Sequence, residues 1–239
     1  MATWDLFITG TNTEIGKTHV AAMIARQLAQ AGVTVGVYKP VASGCRRENG
    51  TLVSDDAELL WEAAGRPATL EAVCPQRFEL PVAPPVAARA EGRQIDQDRL
   101  RDGLRFWQER SDAVIVEGAG GLLSPLAENF SNADLAADLG LPLLVVAANQ
   151  LGVINTTLQT LVTASAYPRP LPIAGVVLNQ SAGGEGDASL ATNAEELAVR
   201  CDGLLLGSVV HGGAAFDPPI DWHTAAGSAR RREPHTFFG

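Results

Sequence analysis

The stretch Gly10-Thr11-Asn12-Thr13-Glu14-Ile15-Gly16-Lys17-Thr18 constrains the fold more than any other part of the chain. It follows the apolar run Leu6 to Ile8 and leads into a segment where Val20, Ile24 and Leu28 recur at helical spacing. Strand, glycine-bearing loop, Gly-Lys-Thr and helix form the arrangement that cradles a polyphosphate. Loop N–H groups point inward, and the helix N-terminus adds partial positive charge. In such a loop Lys17 reaches the β- and γ-phosphates, and the Thr18 hydroxyl sits on Mg²⁺. Gly10 lies one residue too far from Gly16 for the strict motif, so Thr11 takes the usual glycine place.

Basic composition supports the same reading. Of 18 basic residues only Lys17 and Lys39 are lysine; the rest are arginine. A lysine is a compact, rotatable point charge and an arginine a planar fork, so the two are not interchangeable at a crowded phosphate. Lys39 belongs to Tyr38-Lys39-Pro40-Val41-Ala42-Ser43-Gly44. This run ends a second predicted strand, Val33 to Val37, which follows the helix stop at Gly32. Strand, helix and strand make a right-handed βαβ unit. Ligands gather at strand C-terminal ends in open α/β sheets, so Lys39 and Ser43 are expected to face the phosphate loop.

Acidic residues come next. After a polar loop over Arg46 to Thr51, Asp55-Asp56 opens a short helix bearing Leu59, Leu60 and Trp61. A carboxylate there either favours the helix dipole or ligates Mg²⁺, and spacing alone does not separate the two. Ala113 to Val116 is a continuous apolar run, as in a strand buried on both faces. It delivers Glu117-Gly118-Ala119-Gly120-Gly121. An acidic residue at the tip of such a strand is the arrangement that holds Mg²⁺ in phosphate-loop proteins, and the glycines let backbone approach the phosphates.

The remaining pattern alternates. Pro67 to Arg93, which also holds Pro75, Pro81, Pro84 and Pro85, reads as a long excursion over the sheet with room for one short helix. A helix from Asp96 carries Leu100, Leu104 and Trp107. Asn132 is expected to cap a helix through Leu139. Leu143 to Ala147 is a strand, followed by a helix with Leu158, Leu161 and Val162. Ile173 to Leu178 is a strand ending in Asn179-Gln180. After a glycine-rich loop over 181–187, a helix carries Leu190, Ala194 and Leu197, and Leu204 to Leu206 forms a last strand. Such alternation predicts a three-layer, doubly wound α/β fold with a mostly parallel sheet, in one domain over residues 1–239. Residues 212–239 are expected to be an irregular tail, with Arg230-Arg231-Arg232 solvated. No internal repeat is visible.

Composition excludes several classes. Hydrophobic residues make up 46% and charged ones 19%, ordinary for a soluble globular chain. No apolar run approaches the ~20 residues of a membrane span. No secretory signal is expected, because Met-Ala-Thr-Trp-Asp runs straight into the first strand. Cys45, Cys74 and Cys201 show neither pairing nor metal-ligand spacing, which fits free thiols in the cytoplasm. A net charge of −9 argues against nucleic acid and anionic membranes as partners.

With these residues in view, the sequence resembles the dethiobiotin synthetase family, of P-loop NTPase type. Gly-Thr-Asn-Thr-Glu-Ile-Gly-Lys-Thr, Tyr-Lys-Pro-Val-Ala-Ser-Gly, Ser-Asp-Asp-Ala, Val-Glu-Gly-Ala-Gly-Gly and Leu-Gly-Val-Ile-Asn match its landmarks in order and spacing, over residues 4 to about 180. The resemblance implies Mg²⁺- and ATP-dependent ring closure of 7,8-diaminononanoate with CO₂. It makes Thr18, Asp56 and Glu117 the metal ligands, Asp56 being chosen over Asp55 because it directly precedes Ala57. Lys17 and Lys39 would neutralise charge on the transferring phosphoryl group and the carbamate, the kind of clamp that is usually the largest catalytic contribution. Thr13, Glu14 and Ser43 would line the diamine and carbamate pocket. ATP would lie against Glu14, Ile15, Gly16, Lys17, Thr18, His19, Asp56, Glu117, Gly118, Ala119 and Gly120. Asn179 would read the base beside Gln180, Val209, Val210 and His211. The run Gly207 to His211 departs from the acidic residue and proline usual in the family, and Gln180 also departs. Gly152, Val153 and Asn155 would bind the substrate carboxylate at a helix N-terminus borrowed from the partner in a homodimer. On spacing alone Asn155 equally caps its own helix.

Three other readings share parts of this pattern. A MinD- or ParA-type switch carries a second lysine near the start of the phosphate loop, where this chain has Gly10-Thr11-Asn12. A cobyrinate-type amidation domain needs a glutaminase domain, for which no residues are left. A regulatory nucleotide-binding module without turnover is the third.

Overall fold

The computed structural model describes residues 4–181, 186–229 and 231–238. The glycine-rich loop expected over 181–187 therefore lies largely outside the described residues, as do Met1 to Thr3 and Arg230. Six strands form the central sheet: β1 (Trp4–Gly10), β2 (Val35–Tyr38), β3 (Ala113–Glu117), β4 (Leu143–Ala148), β5 (Ile173–Asn179) and β6 (Leu205–Val209). Helices α1 (Lys17–Gln30), α2 (Asp55–Ala63), α3 (Gln97–Gln108), α4 (Asn132–Leu139), α5 (Val153–Ala166), α6 (Asn193–Arg200) and α7 (Trp222–Gly227) accompany them.

Within the sheet the order is β2-β3-β1-β4-β5-β6, with every pair parallel. Leu6 to Ile8, Ala113 to Val116 and Leu143 to Ala147 are fully buried, because helices cover both faces of a parallel sheet. From β1 the chain steps outward to β2 and then reverses through β3 to β4, β5 and β6. Right-handed crossovers then place α1 on one face and α3 to α6 on the other. Side-chain bonds agree with this layering. Trp222 of α7 donates to Gln27 of α1 at 3.0 Å, while Arg101 of α3 and Arg169 just after α5 both donate to Asp138 of α4. Gly103 lets α3 close on the sheet, since a Cβ there would sit 2.3 Å from the Tyr38 ring. The register brings Gly10, Tyr38, Glu117, Ala148 and Asn179 to one edge.

Several expectations need correction. β2 starts at Val35 rather than Val33, because Val33 N–H bonds the Leu28 carbonyl and Gly32 N–H the Ala29 carbonyl, which closes α1 in a Schellman turn. The polar loop at 46–51 is a hairpin, Arg46–Glu48 with Thr51–Val53. Its Asn49-Gly50 turn has positive φ at both residues, which matches the strand twist. The proline-rich excursion holds helices Leu70–Val73 and Pro84–Ala90, and its strand Gln76–Arg77 pairs with Val41–Ala42. Ser131, not Asn132, caps α4, in a capping box with Asp134. β6 runs on to Val209, beyond the expected Leu206.

The segment after 211 is not irregular throughout. Helix α7 packs on β1 and β5, and a 3₁₀ turn at Pro234–Phe237 packs on α5. Trp222 and Phe237 are buried, and Phe216 meets Trp222 edge-on at 5.0 Å between ring centroids. These aromatics are scattered without period, so sequence patterning misses them. Trp222→Ala is expected to destabilise the fold by about 3–5 kcal/mol, the range for emptying a buried aromatic site. Urea denaturation checks this, and an unchanged midpoint would mean the segment is only loosely attached.

Candidate active site

At the edge where β1, β2, β3 and β5 end, the loop after β1 turns into α1. Gly16 is its N-cap, with φ of 85° and no side-chain cap, and no acidic residue occupies the first turn. The positive end of the helix therefore stays unneutralised and available to an anion. A Cβ on Gly16 would lie 2.1 Å from the Asn179 Nδ2, and that amide donates to the Ile15 carbonyl at 2.8 Å. Asn179, at the tip of β5, thus spends one N–H on the phosphate loop. Lys17 extends along the loop, its Nζ donating to the Asn12 carbonyl at 3.0 Å.

Opposite the loop lies a buried charge cluster. Lys39 Nζ stands 2.6 Å from Asp56 Oδ2 and 2.6 Å from Glu117 Oε1, and Thr18 Oγ1 donates to the same Glu117 oxygen at 2.9 Å. Glu117 is fully buried and Lys39 is 3% exposed, whereas the Asp56 side chain is about half exposed at 49%. Burial pushes the Glu117 carboxyl above its usual range, against the pull of Lys39. Burial also works against the Lys39 charge, but the Glu117 and Asp56 carboxylates more than offset it and hold that ammonium above the ordinary lysine range. Asp56 is held below its usual range: burial raises it, and the Lys39 charge and hydrogen bond outweigh the burial. Lys17 is pushed down, chiefly by burial.

This donor set suits Mg²⁺. Thr18, Asp56 and Glu117 present hard oxygens, one or two carboxylates being usual when phosphates complete the shell. Glu117 Oε2 is buried with no hydrogen-bond partner, an oxygen that a cation would satisfy. Among the described residues no three His, Cys, Asp or Glu side chains gather as a metal cage, so the set depends on a hydroxyl.

The cleft here has a volume of about 960 Å³. Of the expected residues it is lined by Thr13, Glu14, Gly16, Lys17, Thr18, His19, Lys39, Ser43, Asp56, Glu117, Ala119, Gly120, Asn179, Gln180, Val210 and His211. Ile15, Gly118 and Val209 sit behind this wall, with Ile15 and Val209 buried. Gly152, Val153 and Asn155 do not line the cleft. They open α5, whose N-cap Gly152 carries no side-chain cap, so Asn155 does not play the capping role. Sequence reasoning missed Pro81 to Pro84 and Ser124-Pro125, which form part of the wall. Prolines without period gave no hint that the excursion folds back onto the site.

The fold has solved counterparts. A ParA family ATPase from Chlorobium tepidum TLS superposes with a TM-score of 0.55 at 16% identity, over 88% of this chain and 84% of that one. A chain of the MinC:MinD cell division protein complex of Aquifex aeolicus gives 0.53 at 14% identity, over 87% and 82%. Likeness at such identity concerns the fold alone. The AAA domain family model matches residues 5–209. An ATP-dependent dethiobiotin synthetase BioD of Rhodopirellula baltica is 43% identical over 214 residues, 85% of this chain and 82% of that one. The protein of the same name from Anaeromyxobacter dehalogenans strain 2CP-C is 47% identical over 193 residues, 81% and 83%. Sheet order, phosphate loop and family model together make this an ATP-using enzyme of the P-loop NTPase class. Identity at this level along most of both chains narrows the class further. The chain belongs to the dethiobiotin synthetase family.

The two lysines should differ sharply on removal. Lys39→Met strips the counter-charge from a buried carboxylate and is expected to cost about 3 kcal/mol of stability, the scale of breaking a buried pair. Lys17→Met loses one bond to a loop carbonyl and is expected to cost about 1 kcal/mol or less. Thermal denaturation of both variants without ligand checks the contrast. Equal losses would remove Lys39 from its structural role.

Proposed function

We propose that this cleft closes the cyclic urea of dethiobiotin from 7,8-diaminononanoate, CO₂ and ATP, in biotin biosynthesis. The observation that carries the reading is the 43% identity to a named dethiobiotin synthetase over 85% of the chain. The bridging position of Lys39 beside the phosphate loop supports it independently.

One amine of the substrate takes up CO₂ as a carbamate. The γ-phosphoryl group passes to a carbamate oxygen, giving a carbamic–phosphoric anhydride and ADP. The second amine then attacks the carbonyl carbon, and phosphate leaves with the C–O bonding pair. Lys17 and the N-terminus of α1 bind the phosphates. Lys39, held on the other side, stabilises charge on the carbamate and on the phosphoryl group in transfer. Thr13, Glu14 and Ser43 line the part of the cleft assigned to the diamine. Thr18, Asp56 and Glu117 hold Mg²⁺, which supplies neutralisation of phosphate charge. Asn179 retains one N–H and its Oδ1 for the base, enough to meet the N6–H and N7 of adenine in the way amides read that edge elsewhere. Gln180, Val210 and His211 flank it.

We further propose one domain over residues 1–239, acting in the cytoplasm as a homodimer. Among the described residues no helix is long and apolar enough to cross a membrane. The start of α5 at Gly152, Val153 and Asn155 has no side-chain cap; Val153 N–H is spent on the Gln150 carbonyl, and the remaining N–H groups of that turn, Asn155 among them, are assigned to the substrate carboxylate of the partner's site.

Purified protein should release ADP only when diamine, bicarbonate, Mg²⁺ and ATP are all present, with dethiobiotin detected by mass spectrometry. ADP release without the diamine would defeat the assignment. Glu117→Gln should raise the Mg²⁺ needed for half-maximal ATP binding about 10- to 100-fold, the scale of a damaged metal shell. An unchanged Mg²⁺ titration would take Glu117 out of that shell. Isolated mixed dimers of Lys39→Met and Asn155→Ala chains should show about half of wild-type activity, since both defects then fall in one site. Activity no higher than the mean of the parents would place the carboxylate site within one chain.

A further inference from the structure

Asn132, the first residue of α4, is fully buried and does not line the cleft. Its whole polar capacity is spent on one loop. Nδ2 donates to the carbonyls of Ala119 and Gly121, each at 2.8 Å, with the Ser124 carbonyl at 3.3 Å. Oδ1 accepts from Ala119 N–H at 3.1 Å. A carboxamide is the side chain of this length that both donates and accepts from one end.

The loop it holds leaves Glu117 and forms cleft wall through Ala119, Gly120 and Ser124. Its other side lies against the phosphate loop. A Cβ on Gly121 would stand 3.2 Å from the Gly10 carbonyl, and one on Gly120 would stand 3.5 Å from Thr13 Oγ1. Asn132 presses from behind, only 2.3 Å from where a Gly118 Cβ would be. The loop is thus clamped between α4 and the phosphate loop, with side-chain atoms of Asn132 supplying the fixed jaw.

We propose that Asn132 is a positioning residue for nucleotide binding: by pinning residues 118–124 it sets the gap between that loop and the phosphate loop. The proposal rests on the reading of the cleft as the ATP site. A misplacement on the ångström scale is enough to cost a binding loop much of its effect.

The test uses the full chain in four forms: wild type, Asn132→Asp, Asn132→Ala and Ser131→Ala. Asn132→Asp keeps the shape but sets an acceptor against three carbonyls. Asn132→Ala removes the bonds without adding charge, and it decides alone if the aspartate form does not fold. Ser131→Ala removes the cap of the same helix and none of the bonds to the loop. ATP affinity is measured by calorimetry in Mg²⁺, well below each melting temperature. Amide exchange of residues 117–125 is followed without ligand. The expected result is ATP binding about tenfold weaker or worse in the Asn132 forms, with faster exchange confined to that stretch. Ser131→Ala is expected to melt earlier yet bind ATP within about twofold of wild type. Unchanged exchange in the Asn132 forms, ATP affinity within about twofold of wild type, or an equal loss in Ser131→Ala would overturn the proposal. A wild type that does not bind ATP defeats the nucleotide reading instead, and the exchange readout still decides whether Asn132 holds the loop.

Discussion

A carboxylate taken wholly out of water needs a cation, and the bond between Glu117 and Lys39 is where this molecule meets that need. Glu117 ends a strand buried on both faces, so no rearrangement of its own brings it to solvent. Lys39 reaches it from the neighbouring strand β2, and Asp56 and Thr18 join from α2 and α1. Four elements are thereby tied at one point. The cluster holds two carboxylates against one ammonium, with Lys17 nearby, so it is electrostatically unfinished and suited to a further cation and to phosphate.

Around this point two asparagines do comparable work from opposite sides. Asn179 binds the phosphate loop at the Ile15 carbonyl, and Asn132 binds the loop that leaves Glu117. Both loops are rich in glycine and have little side-chain packing of their own to fix them. Their positions come from buried amides, Asn132 with both its ends engaged and Asn179 with one N–H engaged, and a lost bond there is costly because nothing replaces it. A helix N-terminus, glycine-permitted close approach and amide clamps thus accomplish together what a large hydrophobic loop would otherwise require.

The likeness to ParA and to the MinC:MinD complex at 14–16% identity illustrates how little of the chemistry resides in the sheet. Parallel strands and flanking helices supply an edge, and activity depends on what the loops place there. In this chain the loops place Lys39 at the end of β2 and a wall from Pro81 to Pro84 beside the phosphate loop.

Some of this was legible without coordinates. Continuous apolar runs announced the buried strands, since burial on both faces leaves no alternation to confuse the reading. The phosphate loop, Lys39 and Glu117 were legible because each sits at a strand end, where position along the chain determines position in the sheet. Other features depended on contacts distant in sequence. Spacing makes Asn132 a helix cap, because it cannot say that the amide faces a loop eleven to thirteen residues earlier. The tail reads as irregular in the sequence, because Phe216, Trp222 and Phe237 are anchored by helices and strands far upstream and leave no period. The excursion over 67–93 hid its place in the cleft for the same reason. Periodicity records which face of an element is buried; only the folded chain decides what that face is buried against.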